Sequence, residues 1–175
     1  KNATGYDLTA LMIGSEGTLG VITKIVFRLI PLPTKDITML VPFQSAEKAC
    51  EAVSAVFRAG ITPSALEFIE RDAIDWTLKY SDVEMQIHDS VKAHLLVEVD
   101  GNDMELLYKD CEKIAEVMEG FECGEILLAD SENQKNKIWK LRRSIAESVK
   151  SNSVYKEEDT VVPRAELPKL LKGVK

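Results

Sequence analysis

Three glycines with an even spacing of three, Gly14, Gly17 and Gly20, lie among hydroxyl side chains in the stretch "GSEGTLG". Backbone without a Cβ lets a ligand approach closely, and N–H groups there can meet phosphate or ring acceptors. Ser15 and Thr18 add hydroxyls of the kind used for such contacts. The spacing is neither G-x-G-x-x-G nor that of a P-loop. On spacing alone, a ligand cradle and a simple turn are equal alternatives.

Arg142 in "KIWKLRRSIAES" is a second candidate, because it lies in a segment with helical periodicity. Ile138, Leu141, Ile145 and Val149 form one apolar stripe. Arg142 falls at the edge of this stripe, whereas Arg143 falls on the opposite side of the helix. An arginine at such an edge either extends past the core into solvent or holds a carboxylate through two parallel hydrogen bonds.

The remaining reactive side chains give weaker signals. Lys156 stands beside three acidic residues in "SVYKEED", which is typical of a solvated charge cluster. His88 and His94 have no partner at a metal-ligand spacing, so we predict no metal site in this chain. Three widely spaced cysteines indicate neither a disulfide framework nor a zinc site. Cys50 and Cys111 are expected in the core, and a reducing compartment follows.

The elements that would position these residues follow from hydrophobic periodicity. Strands are predicted over 20–30, 35–43, 63–70, 92–101 and 124–130, and helices over 45–60, 71–80, 102–120 and 131–150. Ser45 and Ser131 are predicted helix caps, and Gln134 completes a capping box with Ser131. An extended segment over 153–163 then leads to a terminal helix interrupted by Pro168.

The order of these elements between Pro33 and Asp130 indicates an α+β fold. Two similar β-α-β halves are typical of a ferredoxin-like sandwich, an antiparallel four-stranded sheet with two long helices on one face. The other face of the sheet is expected to be free. "PLP" at 31–33 stops the first strand, so we place domains at 1–30 and 31–175.

Composition excludes several classes of protein. The 175 residues are 45% hydrophobic, and their net charge of −7 argues against a nucleic-acid binder. No apolar run is long enough for a transmembrane helix, and "KNATGYDL" is neither a signal nor a transit peptide. Because the chain does not begin with Met, we expect a piece of a longer protein. We predict a cytoplasmic location, with peripheral attachment to a membrane as the alternative.

Two longer motifs carry a family resemblance. "TGYDLTALMIGSEGTLGVITKIVFRLIPLP" resembles the end of the FAD-binding domain of vanillyl-alcohol-oxidase-type flavoproteins. The branch is that of the D-2-hydroxyacid dehydrogenases, which includes D-lactate dehydrogenases and the glycolate oxidase catalytic subunit. "EEDTVVPRAELPKL" is similar to the family segment D-x-x-V-P-R-x-x-L. By this resemblance, 1–30 is the end of the FAD-binding domain and 31–175 is the substrate or cap domain.

The resemblance implies FAD as the cofactor. The residues that would border the flavin are Gly14, Ser15, Glu16, Gly17, Thr18, Gly20 and Ile22. Ser15, Thr18 and the main chain would contact the pyrophosphate or the edges of the isoalloxazine. Glu16 would bond the backbone or point away, because FAD phosphates repel a carboxylate.

The resemblance also implies part of a substrate site. Arg142, in a "W-x-L-R" context, and Lys156 would bind the substrate carboxylate, and Arg164 would be structural. No catalytic residue is expected within the chain. The family's first glycine-rich flavin loop would precede Lys1, and its "H-x-G-D-G-N-x-H" segment, with the proton acceptor and the ligands of a divalent metal, would follow Lys175. We therefore expect the chain alone to be inactive.

The predicted function is FAD-dependent oxidation of a small D-2-hydroxy acid, of the D-lactate or glycolate type, to the 2-oxo acid. The electron acceptor and the oligomeric state stay open. One alternative is a flavoenzyme that resembles alkyl-glycerone-phosphate synthase. The other is a non-catalytic ferredoxin-like module that binds a partner through the free sheet face.

Overall fold

The computed structural model describes residues 3–174, and the chain divides into two compact units, Lys1–Leu32 and Pro33–Lys175. The first unit contains one short helix, α1 (Leu8–Met12). Asp7 caps it, because its carboxylate accepts a hydrogen bond of 2.9 Å from the backbone N–H of Ala10. The sequence reading did not predict this helix.

The strand predicted over 20–30 is absent, and this prediction was wrong. A strand needs a partner for its backbone N–H and C=O groups, and no strand of the described residues pairs with this segment. Its alternating apolar side chains are therefore exposed, with Val26 97% and Phe27 74% accessible. The segment therefore has the composition of a strand but lacks the hydrogen bonds to a neighbouring strand.

The second unit is built on one four-stranded antiparallel sheet in the order β2-β3-β1-β4. Its strands are β1 (Lys35–Phe43), β2 (Ala65–Glu70), β3 (Ala93–Gly101) and β4 (Leu127–Leu128). This order confirms the predicted ferredoxin-like sheet. β4 is shorter than predicted, although backbone hydrogen bonds from Gly124 to Pro42 and from Ala129 to Thr38 extend its contact with β1.

Helices join the strands and follow them. They are α2 (Ala46–Arg58), α3 (Arg71–Tyr80), α4 (Met104–Glu119), α5 (Glu132–Lys150) and α6 (Leu167–Val174), with a 3-10 turn at Arg164–Glu166. Pro168 does not interrupt the last helix as predicted. It lies in the first turn of α6, where a missing N–H costs no intrahelical hydrogen bond. No helix of the described residues is long and apolar enough to cross a membrane.

Local sequence signals set the ends of these helices. The Ser45 hydroxyl accepts from the N–H of Lys48, and Gly60 follows α2 with a φ of +84°, a conformation that favours glycine. At α5, the Ser131 hydroxyl accepts from the N–H of Gln134 at 3.4 Å. The Gln134 side chain reaches back to the N–H of Asp130 at 3.0 Å, so the predicted capping box forms with its return bond shifted by one residue.

Each face of the sheet is covered by two helices. Odd-numbered residues of β1 and β3 pack against α2 and α4, and we call this side the α2/α4 face. It contains the buried Cys50 and Cys111, which confirms their placement in the core, and burial raises the pKa of the Cys111 thiol to about 11. The opposite side, the α3/α5 face, includes Leu40, Ile69 and Leu96.

The expectation of a free sheet face was wrong. Ile74 of α3 and Ile138 and Leu141 of α5 pack onto the α3/α5 face and are almost fully buried. Periodicity predicts the apolar stripe of each helix, but the surface that this stripe covers depends on tertiary packing. The alternative function, a module that binds a partner through a free sheet face, therefore lacks the surface that it requires.

Candidate functional site

The glycine loop in the first unit has an unusual backbone conformation. Gly14, Glu16 and Gly17 have φ values of 79°, 49° and 77°, all in the left-handed region. Hydrogen bonds close the turn: the Ser15 N–H donates to the Met12 carbonyl at 3.2 Å. The N–H and hydroxyl of Thr18 donate to the Ser15 carbonyl at 2.9 and 2.6 Å. The two glycines are thus required by backbone conformation.

The same loop has an accessible main chain. A Cβ built at Gly14 or Gly17 would meet no atom within 4 Å, so open space surrounds both positions. At Gly20, a Cβ would lie 3.5 Å from the Met12 methyl carbon. Ile22, the last of the predicted flavin contacts, is 57% exposed. The loop therefore offers bare backbone and two hydroxyls for a close contact, and its role at a flavin stays a prediction.

Arg142 lies on α5, one residue after the buried Leu141. Its Nε donates a hydrogen bond of 2.8 Å to Oε2 of Glu67 on β2. Both side chains are about one-third exposed, at 38% and 35%. Arg143 is exposed, as its helical position predicts. Because the Glu67 bond engages Nε, the terminal nitrogens of Arg142 are the atoms that a second carboxylate would contact.

A second carboxylate is fixed nearby on the same face. Oε2 of Glu98 on β3 accepts from the Thr38 hydroxyl at 3.0 Å and from the Trp139 indole N–H at 2.9 Å. Sheet pairing places Glu98 opposite Thr38, and places Glu67 opposite Leu96. These contacts make one end of the α3/α5 face polar, with its donors supplied by α5 and β1.

The sequence reading missed Glu67 and Glu98, although one signal was available. In "ALEFIE" and "HLLVEVDG", each glutamate stands between apolar residues on a predicted strand. A carboxylate at a half-buried strand position requires hydrogen-bond donors. Pairing these glutamates with Arg142 and Trp139 would have needed the helix-to-sheet register.

Lys156 lies in an irregular segment after α5, and its side chain is 84% exposed. Its ammonium group forms an ion pair of 2.5 Å with Glu158. The surroundings of Lys156 are therefore those of a solvated charge cluster, and its role as a substrate ligand stays a prediction.

Arg164 has a packing contact that accounts for the "V-P-R" segment. Its guanidinium carbon lies 4.0 Å from the centre of the Phe57 ring on α2, a cation–π arrangement. Leu167 and Leu171 of α6 pack against the same core. Arg164 thus helps to hold the C-terminal helix against α2.

No group of three or more His, Cys, Asp or Glu side chains within the described part of the chain is arranged to hold a metal ion. Residues 32–175 match the family described as "FAD linked oxidases, C-terminal domain". The chain belongs to this family. FAD is the cofactor of FAD-linked oxidases, and the open glycine loop fits a flavin contact through its bare main chain and hydroxyl groups.

Individual relatives agree with this FAD-linked oxidase assignment. A D-lactate dehydrogenase of Anaerostipes hadrus is 32% identical over 176 residues, which cover 98% of this chain and 37% of that protein. The glycolate oxidase subunit GlcD of Bacillus subtilis is 32% identical over 177 residues, covering 99% and 37%. A D-lactate dehydrogenase of Archaeoglobus fulgidus is 33% identical over 168 residues, covering 95% and 36%. The chain thus spans little more than a third of the length of these curated relatives.

Proposed function

We propose that this chain forms part of the flavin and substrate sites of an FAD-dependent oxidoreductase that converts a small D-2-hydroxy acid into its 2-oxo acid. The names of the relatives, D-lactate dehydrogenase and glycolate oxidase subunit, support this substrate class. The observation that carries the proposal is Arg142, a half-buried arginine whose Nε is fixed by Glu67. The domains assigned to 1–30 and 31–175 would supply the flavin contacts and the substrate contacts, respectively.

Arg142 would bind the substrate carboxylate. With Nε bound to Glu67, its two terminal nitrogens can donate two parallel hydrogen bonds to one carboxylate. The Glu67 bond restricts rotation of the guanidinium, so less side-chain entropy is lost when substrate binds. Holding the carboxylate orients C2 and its hydroxyl, and such positioning is the main contribution of a protein to cofactor chemistry.

Lys156 would provide a second positive charge. Its present partner, Glu158, forms an exposed ion pair, and such pairs contribute little to stability. Replacing Glu158 by a substrate carboxylate as the ion-pair partner of Lys156 therefore costs little free energy. We assign no proton acceptor to the residues of this chain.

The glycine loop would hold part of the cofactor. Bound FAD would supply the electron-accepting chemistry for oxidation at C2 of the substrate. Gly14, Gly17 and Gly20 would let the cofactor approach the main chain, while Ser15 and Thr18 would donate hydrogen bonds to it. The left-handed Glu16 would keep its carboxylate away from the phosphates, and Ile22 would contact the ring system.

Kinetics of the flavin-containing enzyme test the role of Arg142. Arg142→Ala is expected to lower kcat/KM for D-lactate or glycolate by roughly 30-fold or more, since losing one partner of a hydrogen-bonded charge pair costs about 2–5 kcal/mol. Arg143→Ala is the matched control, because it removes the same charge one residue further along α5 from an exposed position. Unchanged kcat/KM in Arg142→Ala would remove this residue from the site.

The isolated chain offers a separate test of the cofactor assignment. We predict that the purified 175-residue chain does not retain an equivalent of FAD, because one exposed loop buries too little of the cofactor. The visible absorbance of the protein after gel filtration measures this. A stoichiometric yellow chromophore would contradict the prediction and would show that the loop suffices.

A further inference from the structure

A cavity of about 550 Å³ lies on the α3/α5 face, toward the end where His94 pairs with Pro42 and away from Glu98. Sites for small molecules typically measure roughly 300–1,000 Å³. Its floor includes His94 of β3 and Pro42 of β1, which pair across the sheet, and its wall includes the loop 85–91 between α3 and β3. Every residue that lines it belongs to the second unit of the chain.

His94 is the unusual member of this cavity. The residue is only 5% exposed, and its Nδ1 is buried without a hydrogen-bond partner in the described part of the chain. A buried polar atom without a partner costs about 1–3 kcal/mol and is rare in native structures. Apolar contacts alone do not explain why an imidazole occupies this position, and because His94 lines the cavity, its ring is a polar group that a ligand there would meet.

The walls define the chemistry of that ligand. Apolar residues supply half of the lining, and the neutral polar side chains of Gln44, Gln86 and Ser90 line it as well. The apolar residues are Leu40, Pro42, Phe43, Met85, Ile87, Val91 and Leu127. Glu125 is the single carboxylate among the lining residues, and the lining contains no lysine or arginine. An anionic ligand would therefore meet repulsion from Glu125 and no cationic side chain among the lining residues, since the nearby Arg71 is engaged by the carbonyls of His88 and Val91.

The protonation state of the His94 imidazole further restricts the class of ligand. Burial, with a smaller contribution from the Arg71 charge, lowers the pKa of His94 to about 4. The ring is then neutral near pH 7 and presents one N–H donor and one nitrogen acceptor. A hydroxyl group, which both donates and accepts, complements either tautomer.

We propose that this cavity binds an uncharged, mainly apolar molecule that carries a hydroxyl group, with the hydroxyl hydrogen-bonded to the buried imidazole of His94. Neither Arg142 nor its partner Glu67 lines this cavity. Glu67, the partner of Arg142, lies in the sheet row of Leu96, and the neighbouring row passes from Ile69 through His94 to Pro42. Leu96 and Ile69 belong to the apolar cluster of this face. The inference does not depend on the proposed flavin chemistry.

Three aromatic probes of similar shape test the proposal by NMR. 2-Naphthol carries the hydroxyl, 2-methylnaphthalene replaces it by a methyl group, and 2-naphthoate carries a negative charge. The chain has only two histidines, so ring-labelled histidine gives two imidazole signals, of which His94 is the reporter. We expect 2-naphthol to shift the His94 signal saturably. The methyl analogue should bind ~5-fold more weakly for loss of one hydrogen bond, and the anion more weakly still.

Two variants separate the hydrogen bond from general apolar binding. His94→Phe keeps a ring of similar size and removes both nitrogens, so 2-naphthol and 2-methylnaphthalene should bind within about twofold of each other. His88→Ala changes the other histidine of the lining, which contacts the Ser90 hydroxyl, and should preserve the preference for 2-naphthol. Binding to the variants is followed by backbone amide shifts of the lining residues.

Several results would overturn the proposal. They are no saturable shift of His94 with 2-naphthol, equal affinity for the methyl analogue, or tighter binding of 2-naphthoate. If His94→Phe does not fold, the three-probe comparison in the unchanged protein still decides the question. A His94→Phe protein that folds and retains the preference for 2-naphthol would assign the hydroxyl contact to another residue.

Discussion

The α2/α4 face and the α3/α5 face belong to the same sheet and are each covered by two helices, yet their side chains differ. On the α2/α4 face, β1 and β3 contribute apolar residues throughout their buried length. On the α3/α5 face, the same two strands contribute Thr38, Glu98 and His94 between the leucines, and β2 adds Glu67. The first face is a packing surface, and the second combines packing with polar chemistry.

This difference shows how a small domain separates stability from function. A buried polar group is tolerated only when its hydrogen-bonding capacity is met. Trp139 and Thr38 meet that need for Glu98, and Arg142 meets it for Glu67. His94 has no such partner within the described residues. Of these polar groups, Arg142 and His94 are therefore the ones with capacity left for a ligand.

Adjacent leucines give the largest expected effects and a direct comparison of the two faces. Leu95 faces α2 and α4, Leu96 faces α3 and α5, and both are fully buried. We expect Leu95→Ala to lower the free energy of unfolding by about 4 kcal/mol and Leu96→Ala by about 2–3 kcal/mol, because the smaller core can relax more easily. Urea denaturation measures both values.

An exposed leucine provides the control for these two variants. Leu106 on α4 is 57% exposed, and Leu106→Ala should change stability by less than about 0.5 kcal/mol. If Leu96→Ala costs more than Leu95→Ala, the distinction between a dominant packing face and a smaller polar one is wrong.

His94 provides the next largest effect, which depends on pH. Its pKa is lowered from 6.5 to about 4 in the folded state, mainly by burial. Between these values the unfolded chain binds a proton that the folded chain does not, so stability falls as the pH decreases from about 6.5 to 4. The loss attributable to His94 is at most about 3.5 kcal/mol.

The pH effect is measured by urea unfolding across this range for the unchanged protein and for His94→Phe. Arg71, its ion-pair partner Asp89, Glu125 and His88 are charged or titratable groups near this cavity, and all four remain in the variant. The difference between the two curves therefore isolates His94. Parallel curves would show that the imidazole is already charged, or accessible to water, in the folded protein.

Most of the second unit could be predicted from sequence because its signals are local. The apolar patterns of β1 and β3 predict those strands, and Ser45 and Ser131 predict the starts of α2 and α5. Segment 20–30 has the same kind of alternation, but its strand depended on a partner that the described residues do not supply. Periodicity identifies which side of an element is apolar, whereas the surface that covers it is set by distant parts of the chain.

The residues of the candidate site were likewise predictable only where a local pattern marks them. Helical spacing correctly placed Arg142 at the edge of the apolar stripe of α5, which is a property of one helix. Its partner Glu67 is separated from it by 75 positions, and the donor to Glu98, Trp139, by 41. Those pairs follow from the packing of α5 across the sheet, and no local pattern contains that information.

The smallest effect concerns the hydrogen bonds of Glu98. Glu98→Leu removes the acceptor for the Trp139 indole and the Thr38 hydroxyl, and should lower the free energy of unfolding by about 1–2 kcal/mol. Glu98→Gln keeps an acceptor oxygen in nearly the same place and should cost less. Trp139→Phe removes the indole donor from the other side of the same contact.

A double-mutant cycle of Glu98→Leu and Trp139→Phe tests this contact directly. If the indole donates to Glu98 as observed, the two losses should be non-additive by about 0.5–1.5 kcal/mol, because each variant removes the same bond. Equilibrium denaturation measures all four proteins, followed by circular dichroism since Trp139 is itself changed. Additive losses would mean that the indole does not help to hold Glu98, whose side chain would then be bound by the hydroxyls of Thr38 and Ser64.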